Sequence, residues 1–315
     1  MVKKQGKTDS MEVKPIMIKI SKENVIYAMS AANAPVATVE PKTQLIFETK
    51  DALSDQLQSP NDSFSGFDWG QVNPATGPVY IKGAQPGDIL SVTIDKIAIN
   101  NQGVIVTGTN MGVFGNELQD TSFKIIPIKD GKALFNDKIT IPLNKMVGVI
   151  GTAPKAGEEI SCGTPDYHGG NMDCKEIKEG VTLMLPVNVE GALLALGDLH
   201  GAMADGEVCV SGLEVAGHVT VTVDVIKGKE LPLPMIFSSE KVMTLASHVD
   251  LDVAVDMAVT NMANYLCQHM GMQKNEAAML LSLAGNTCIC QVVDPKKTAR
   301  VEIKRSVLGT LGIAV

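Results

Sequence analysis

The chain has 315 residues, of which 45% are hydrophobic and 20% charged, which is typical of a folded globular protein and excludes a disordered one. Its net charge of −8 argues against a nucleic-acid partner or an anionic membrane surface, because both attract basic proteins. The N-terminal segment MVKKQGKTDS lacks the apolar core of a signal peptide, and no apolar run reaches the roughly 18 residues of a membrane span. We therefore expect a cytoplasmic protein without a membrane partner, with six reduced cysteines.

Most of the first 240 residues predict β-strands. Apolar residues recur at every second position from Ile16 to Ile20 and from Leu90 to Ile94, which is the period of a half-buried strand. The same period runs from Val181 to Val189 and from Val219 to Val225. Turns that contain Gly or Pro separate these runs, as in a sandwich or jelly roll. The region 100–163 is expected to be loop-rich, and its elements are harder to place.

Helical periodicity replaces this pattern after about Ser247. Apolar residues recur every three or four positions from Leu251 to His269, which predicts an amphipathic helix. A second helix is expected from Asn275 to Ala284, with Gly285 as the residue that ends it.

Two further strands are expected at 287–293 and 298–303. Together, these elements predict a mainly β fold. We expect a jelly-roll-like β-sandwich over about residues 1–245, with an attached α/β portion over about 246–315.

Three short segments place acidic and histidine side chains beside predicted strands. They are His168–Asp173, Gly197–His200 and Asp205–Glu207. In an extended chain, residues two apart point the same way, so Asp198 and His200 are expected to face one ion. Asp205 and Glu207 are expected to do the same at the start of a strand, Val208–Val210. A carboxylate beside an imidazole suits zinc, and zinc-bound water attacks amide carbonyls near neutral pH.

Each segment also has a simpler interpretation. Asp198 and His200 alone fit a hydrogen-bonded surface pair equally well, and the other two segments are rich in turn formers. His168 stays a candidate because it adjoins a glycine pair. Glu214 is expected on the opposite side of the Glu207 strand, in solvent, and His218 at the surface. What favours function is that the three segments lie within about forty residues.

Several other chemistries lack their motifs. The sequence contains no Gly-x-Ser-x-Gly elbow, no phosphate-binding Gly-x-x-x-x-Gly-Lys-Ser/Thr and no His-Glu-x-x-His. Cys174 and Cys209 are conceivable thiol nucleophiles, but a lone cysteine on a strand usually belongs to the core.

Ten segments follow one family pattern in order along the chain. They are Asn73–Ile81, Gly83–Asp88, Gly169–Asp173, Leu185–Val187, Gly191–Leu193, Gly197–His200, Asp205–Cys209, Glu276–Ala277, Leu280–Ser282 and Val292–Asp294. In these segments the chain resembles the acetamidase/formamidase family of amide hydrolases. The segment Phe47–Asp51 also resembles this family and is expected to bring Glu48 or Asp51 to the same pocket. Asn73 stands where many relatives have histidine, which leaves the exact amide open.

The resemblance implies a jelly-roll sandwich with an α/β portion that hydrolyses formamide, acetamide or similar short amides, with a divalent metal near the acidic cluster. We expect Asp173, Asp198 and His200 as metal ligands and Glu207 as the general base. Asn171 is expected to hold the carbonyl oxygen or the amide nitrogen. Further candidates are His168, Asp205, Glu48 and Asp51. The histidine favours zinc, while an oxygen-rich site would admit calcium or magnesium.

Two alternatives stay open: a hydrolase of cyclic amides or imides, and a non-catalytic β-sandwich that binds a metal or a small ligand. The glycines at 169, 170 and 201 predict a narrow pocket that favours short amides. The mean hydropathy of +0.13 is high for a soluble chain, so we expect a homodimer or larger assembly. The expected substrate is a small-molecule amide.

Overall fold

A computed structural model describes residues 17–309 of the chain. Within this range the chain forms 22 strands, three α-helices and one short 3-10 helix, Trp69–Gln71. The strands are β1 (Ile18–Ile20), β2 (Val25–Ile26), β3 (Ala28–Ser30), β4 (Ala37–Val39), β5 (Thr43–Thr49), β6 (Ala75–Ile81), β7 (Ile89–Ile99), β8 (Gln102–Thr107), β9 (Ser122–Lys129), β10 (Lys132–Leu134), β11 (Thr140–Pro142), β12 (Met146–Gly151), β13 (Glu159–Ser161), β14 (Gly169–Asn171), β15 (Thr182–Pro186), β16 (Leu194–His200), β17 (Glu214–Val215), β18 (Gly217–Ile226), β19 (Met235–Phe237), β20 (Lys241–His248), β21 (Gly285–Gln291) and β22 (Lys297–Lys304).

Two large sheets contain most of these strands. In the described residues, the first sheet has nine strands in the order β1-β5-β18-β7-β15-β19-β20-β22-β21. The second has eleven, with the path β11-β10-β9-β8-β17-β16-β12-β14; β6 pairs with β16, and β2 and β4 pair with β6. β3 and β13 form a small separate pair.

The main hydrophobic core lies between the two sheets. β18 contributes Val219, Val221 and Val223, which are fully buried, while the residues between them are more exposed. This is the two-residue alternation of a strand with one face in the core. From the second sheet, Leu194 and Leu196 of β16 join the same cluster. The side of β16 away from this core is also buried, which places that strand in the centre of the molecule.

Two helices cover the far end of the nine-stranded sheet. Helix α1 (Leu251–Met270) is capped by Asp250, whose Oδ1 accepts hydrogen bonds from the backbone N–H groups of residues 252 and 253, and it ends at Gly271 with φ of 68°. Such a side-chain cap satisfies N–H groups that have no partner within the helix. Helix α2 (Lys274–Ala284) follows, and a short helix α3 (Arg305–Leu308) ends the described chain. No helix between residues 17 and 309 is long and apolar enough to span a membrane.

The expected mainly β fold is confirmed, and both long helices lie within a residue of their expected bounds. The region 100–163, which was expected to be loop-rich, contains the short strands β8 to β13 with loops between them. The expected strand Val208–Val210 is also absent, since this segment is a loop. Gly285 is extended, with φ of −92°, because β21 begins there. Ile16 lies outside the described residues.

The proposed boundary near residue 245 falls inside β20. β19, β20, β21 and β22 continue the sheet that contains β5 and β18. The helices pack on that shared sheet through a second hydrophobic cluster, which contains Ala254, Ala258 and Met262 of α1. The jelly-roll detail and the division into two parts stay predictions.

Candidate active site

The imidazole of His200 lies among four carboxylates. Its Nε2 is 3.2 Å from Oδ1 of Asp198 and 3.2 Å from Oε2 of Glu214. Oδ1 of Asp173 is 3.7 Å away and Oε1 of Glu207 is 3.8 Å away. All five side chains are almost fully buried. Asp173, Asp198 and His200 therefore meet, as the sequence predicted, and Glu207 joins them.

Strand β16 supplies two of these groups from its side away from the core. Leu194, Leu196 and Leu199 belong to the main core, so the inward-facing positions change from even to odd numbers between Leu196 and Leu199. The intervening Asp198 has left-handed backbone with φ of 56°. This conformation is uncommon for a residue with a side chain, although Asp tolerates it better than most. It allows Asp198 and His200 to face the cluster while Leu199 remains in the core.

Glu214 reaches the cluster from the neighbouring strand. β17 pairs antiparallel with β16, with Glu214 directly opposite His200. Directly opposite residues on neighbouring strands have side chains in contact distance. The expectation that Glu214 lies in solvent was therefore wrong: it is 2% exposed. That expectation assumed a continuous strand from Glu207 to Glu214, whereas the chain between them is a loop.

Glu207 is held by a loop that is tied to β21. Gly206 donates its backbone N–H to the carbonyl of Cys290 at 2.9 Å and accepts from the N–H of Val292 at 3.2 Å. These bonds attach the loop to the sheet immediately before Glu207. Glu207 has φ of 46°, and Asp173, which follows β14, has φ of 41°. Left-handed backbone at non-glycine residues is energetically costly and is concentrated at functional sites.

Asp294 is a sixth member of the site that sequence reasoning did not identify as functional. It lies just after β21, and its Oδ2 accepts a hydrogen bond from Nδ2 of Asn171 at 3.0 Å. Because a carboxylate only accepts, this bond orients the Asn171 amide with its NH₂ toward Asp294. The Asn171 carbonyl Oδ1 is buried and has no partner among residues 17–309. It is therefore free to accept a hydrogen bond from a ligand in the cavity.

The site carries more negative than positive charge. Its five carboxylates are Asp173, Asp198, Glu207, Glu214 and Asp294. In the described part of the chain, none of them forms an ion pair with a lysine or arginine. Burial, together with Asp198, raises the pKa of Asp173 well above its usual value. Burial and Asp173 do the same to the pKa of Glu207, and burial and Glu207 to that of Asp294.

The negative neighbours also raise the pKa of His200, although burial acts on an imidazole in the opposite direction. Burial by itself lowers the pKa of an imidazole, but Glu214 and Asp198 outweigh it and raise the pKa of His200 well above 6.5. For Asp198, burial raises the pKa, but the charge of His200 and the hydrogen bonds with His200 and Glu214 together outweigh burial and leave the pKa below 3.8. A buried cluster with excess negative charge is unfavourable unless protons or a cation neutralise it.

The donor set fits a divalent cation. Ligand atoms of Asp173, Asp198 and His200 lie within 4.8 Å of one another, and so do those of His200, Glu207 and Glu214. Buried atoms without a hydrogen-bond partner in the described chain include Oδ1 of Asp173 and Oε2 of Glu207. One imidazole and several carboxylates match zinc, and the oxygen-rich composition also admits calcium or magnesium.

Two glycines make space for these groups. A Cβ on Gly148 of β12 would lie 2.4 Å from Oδ1 of Asp173 and 2.6 Å from Oδ2 of Asp198. A Cβ on Gly212 would lie 2.5 Å from Nδ1 of His200. Contacts this short do not occur, so a side chain at either position would have to displace these groups. Neither was marked by the sequence, because the need arises from atoms far away along the chain.

A cavity of about 460 Å³ opens above the cluster. Asn171, Asp294 and the five clustered groups line its floor. Its walls are mainly apolar, and the apolar members are Ala52, Leu53, Trp69, Val72, Val106, Met111, Val210, Val293 and Pro295. The expectation of a narrow pocket was therefore wrong: Gly169, Gly170 and Gly201 do not line the cavity, and its walls come from side chains of other segments. Asn73, which departs from the family pattern, also lines the cavity.

The other sequence candidates lie outside the cluster. Asp205 pairs with Arg300 at 2.6 and 2.9 Å and with Lys175 at 2.8 Å, so it does not share the direction of Glu207. Burial raises its pKa, but these cations outweigh burial and hold it below 3.8. Glu48 pairs with Lys19 and His218 on the outer side of β5, which agrees with the surface position expected for His218.

Asp51 and His168 are buried but do not line the cavity. Asp51 stabilises a turn, accepting hydrogen bonds from the backbone N–H groups of Leu53 at 3.0 Å and Asp55 at 2.8 Å. Burial raises its pKa to about 6. His168 packs behind Gly170, and burial lowers its pKa to about 4, which keeps the imidazole neutral.

Comparison with known proteins identifies one family. The model of the acetamidase/formamidase family matches residues 31–161 and 158–307. The chain is similar to the crystal structure of a predicted acetamidase/formamidase from Thermoanaerobacter tengcongensis, with 46% identity, a TM-score of 0.93, and coverage of 96% of this chain and 100% of that one. An acetamidase structure from Bacillus halodurans has 44% identity and a TM-score of 0.91, over 94% of this chain and 100% of that one.

The curated relatives are more distant. The formamidase of Methylophilus methylotrophus is 26% identical over 61% of this chain and 61% of its own length. Across the curated relatives that match, the chain spans 55 to 63% of their lengths.

Proposed function

The chain belongs to the acetamidase/formamidase family, and from that premise we propose that it hydrolyses linear primary amides to ammonia and a carboxylate. The observation that carries the proposal is the buried acidic cluster around His200 at the floor of an open cavity. Formamide and acetamide are the first substrates to test, since the relatives are named formamidase and acetamidase.

We assign the metal ligands to Asp173, Asp198 and His200, with Glu214 as a further ligand because it lies 3.2 Å from the same imidazole nitrogen. Zinc is favoured by the imidazole, and calcium and magnesium remain alternatives. A divalent ion, when bound, supplies polarisation of the amide carbonyl and makes water more acidic. It also neutralises part of the negative charge that the cluster buries.

The protein's own groups orient the amide and move the proton. Asn171 accepts a hydrogen bond from the substrate NH₂ at its free Oδ1, since Asp294 holds its own NH₂ group. This contact selects nitrogen over the carbonyl oxygen as the partner of Asn171. Glu207 takes a proton from the attacking water and delivers it to the departing nitrogen. Its Oε2 has no partner in the described chain, and the residue lines the same cavity.

A homo-oligomer is also part of the proposal. The exposed large apolar side chains include Val113, Phe114 and Val208, from two segments that a backbone hydrogen bond joins, and Met279 and Leu283 on α2. Contiguous exposed apolar surface favours association. Light scattering tests this directly, and a monomer at micromolar concentration would contradict it. We also propose a cytoplasmic location, supported by six cysteines that form no disulfide.

Ammonia release from acetamide and formamide by the purified protein, with and without a chelator, tests the function. We expect release that the chelator abolishes and added metal restores. Release from cyclic imides but not from linear amides would support the cyclic-amide alternative. Bound metal with no ammonia from any amide would support a non-catalytic binding protein.

A further inference from the structure

The cavity is larger than a short amide needs. A cavity of about 150 Å³ is enough to hold benzene in a protein interior. The cavity above His200 measures about 460 Å³, and acetamide is smaller than benzene. Acetamide bound at the floor would therefore leave most of this space to water against apolar walls.

The walls are supported from behind as a preformed apolar surface. Leu53 and Val106 are 7% and 3% exposed and pack with Leu57 and Val104 in one hydrophobic cluster. Val72 and Met111 pack on the same cluster. Since these side chains are packed on their far sides, the wall needs no rearrangement to receive an apolar group.

Trp69 extends this wall at the cavity mouth. It is 46% exposed, yet its ring stacks on Phe64 at 5.7 Å between centroids, and the ring of Phe67 is 4.6 Å away. Two aromatic neighbours hold the indole in place, so an exposed apolar surface remains fixed beside the opening. Covering such a surface with an apolar ligand group is favourable.

The charged groups that line the cavity all belong to the cluster around His200, and the neutral polar residues Asn73, Ser161, Thr164 and Ser211 are also part of the lining. Asn171 and the carboxylates occupy the floor, and the apolar residues form the sides up to Trp69. With its amide group at the floor, a substrate directs its acyl group along Leu53 and Val106 toward Trp69. A carboxylate on the acyl group would lose hydration on this path without gaining a cationic partner, since no lysine or arginine of the described residues lines the cavity.

We propose that the site takes primary amides whose acyl group is an apolar chain or ring larger than methyl, with Leu53 and Trp69 as specificity-determining residues. This rests on the proposed amide hydrolysis and names its substrate class. Burying a methylene group is worth about fourfold in kcat/KM, the equivalent of about 0.8 kcal/mol. Because the mouth is open, we expect a gain of about tenfold or more from acetamide to hexanamide, which is less than full burial of the added methylenes would give.

The kinetic test compares ammonia release from acetamide, butyramide, hexanamide and benzamide. We expect kcat/KM to rise along the aliphatic series, and the ratio of hexanamide to acetamide to fall about fivefold or more in Trp69→Ala. Ile139→Ala is the control, since Ile139 is similarly exposed, at 49%, does not line the cavity and is not part of the surfaces proposed for assembly. It should keep the wild-type ratio. A flat or falling series, or equal ratios in both variants, overturns the inference.

A binding test separates this inference from the proposed function. Trp69 is the single tryptophan of the chain, so its fluorescence reports directly on the cavity mouth. In metal-loaded Glu207→Gln protein, hexanamide should shift this emission to the blue with a Kd about tenfold or more below that of acetamide. Ammonia from acetamide with no tighter binding of hexanamide contradicts the apolar acyl site alone. Tight hexanamide binding without ammonia from any amide in the wild type contradicts hydrolysis alone.

Discussion

Replacing Gly148 by alanine adds one methyl group at the centre of the proposed metal site. Gly148 lies on β12, opposite Asp198 on β16 in the antiparallel register of this strand pair. The new Cβ would meet Oδ1 of Asp173 at 2.4 Å and Oδ2 of Asp198 at 2.6 Å. The backbone at Gly148 does not need the left-handed region, so the substitution tests space and not backbone strain.

The expected displacement is large compared with what metal coordination tolerates. Ordinary contacts of a Cβ begin near 3.4 Å, so the two carboxylates must move by about 0.8 to 1 Å or the strand must shift. Metal–ligand distances are held to about 0.2 Å of their preferred values. Even substitutions of residues that only hydrogen-bond to the metal ligands weaken metal binding by about 10- to 100-fold. We expect Gly148→Ala to weaken metal binding by about 10- to 100-fold or more and to lower kcat/KM by a similar factor.

The assay is metal content by elemental analysis after dialysis against a competing chelator, together with ammonia release. Gly163→Ala is the matched control, because Gly163 lines the same cavity while its added Cβ would come no nearer than 3.4 Å to any atom. This variant should keep its metal. Circular dichroism must show that both variants fold. Wild-type metal affinity in folded Gly148→Ala would refute the assignment of Asp173 and Asp198 as ligands.

Three further outcomes are expected from the same geometry. His200→Ala should lose its metal, because His200 is common to both possible ligand groups; equal metal in variant and wild type removes it from the ligand set. Glu207→Gln should lower kcat by roughly 10² to 10⁴ as the loss of a general base does, with metal retained. Lost metal would make it a ligand instead, and normal turnover with normal melting excludes both roles. Burial raises the pKa of Asp51 to about 6, so ionising this carboxyl is less favourable in the folded chain than in the unfolded chain. The stability that the protonated group contributes is therefore present below about pH 4 and is lost as the pH rises through 6. Asp51→Asn should therefore raise the free energy of unfolding at pH 7 by up to about 3 kcal/mol relative to wild type, but not at pH 4; denaturant unfolding that shows an equal difference at both pH values would contradict this.

Local patterns predicted the elements well where one face is buried. β18 alternates strictly, and α1 repeats apolar residues at three and four positions, so both were expected close to their observed bounds. β9 and β11 lie largely exposed near a sheet edge and bury little, so their sequences carry no clear alternation. Which strands pair was not visible, because pairing depends on contacts between distant segments.

In the candidate site, too, the sequence predicted what depends on neighbouring residues and not what depends on distant ones. Asp198 and His200 are close in sequence and meet in space, although the positive φ of Asp198 was not foreseen. Glu48, in contrast, was a candidate that the sequence itself could have excluded. Leu45 and Phe47 of β5 are fully buried, so the period of two along this strand already places Glu48 on the outer face.

Other parts of the site depend on long-range pairing alone. Glu214 faces His200 only because β17 pairs with β16. Asp294 meets Asn171, 123 positions earlier in the chain, because β21 and the Gly206 loop are joined by hydrogen bonds. The apolar wall comes from loops around Leu53 and Met111, whose sequences show no periodicity that would place them beside a carboxylate cluster.

The most direct test of the central claim is ammonia release from acetamide by metal-free protein to which zinc is added in counted amounts. We expect no release from the metal-free protein, a rate that rises with zinc per chain and reaches a plateau, and acetate formed in equal amount to ammonia. Calcium and magnesium, added in the same way, establish whether another ion serves better. Folded protein that binds any of these ions and still releases no ammonia from acetamide or formamide would contradict the claim.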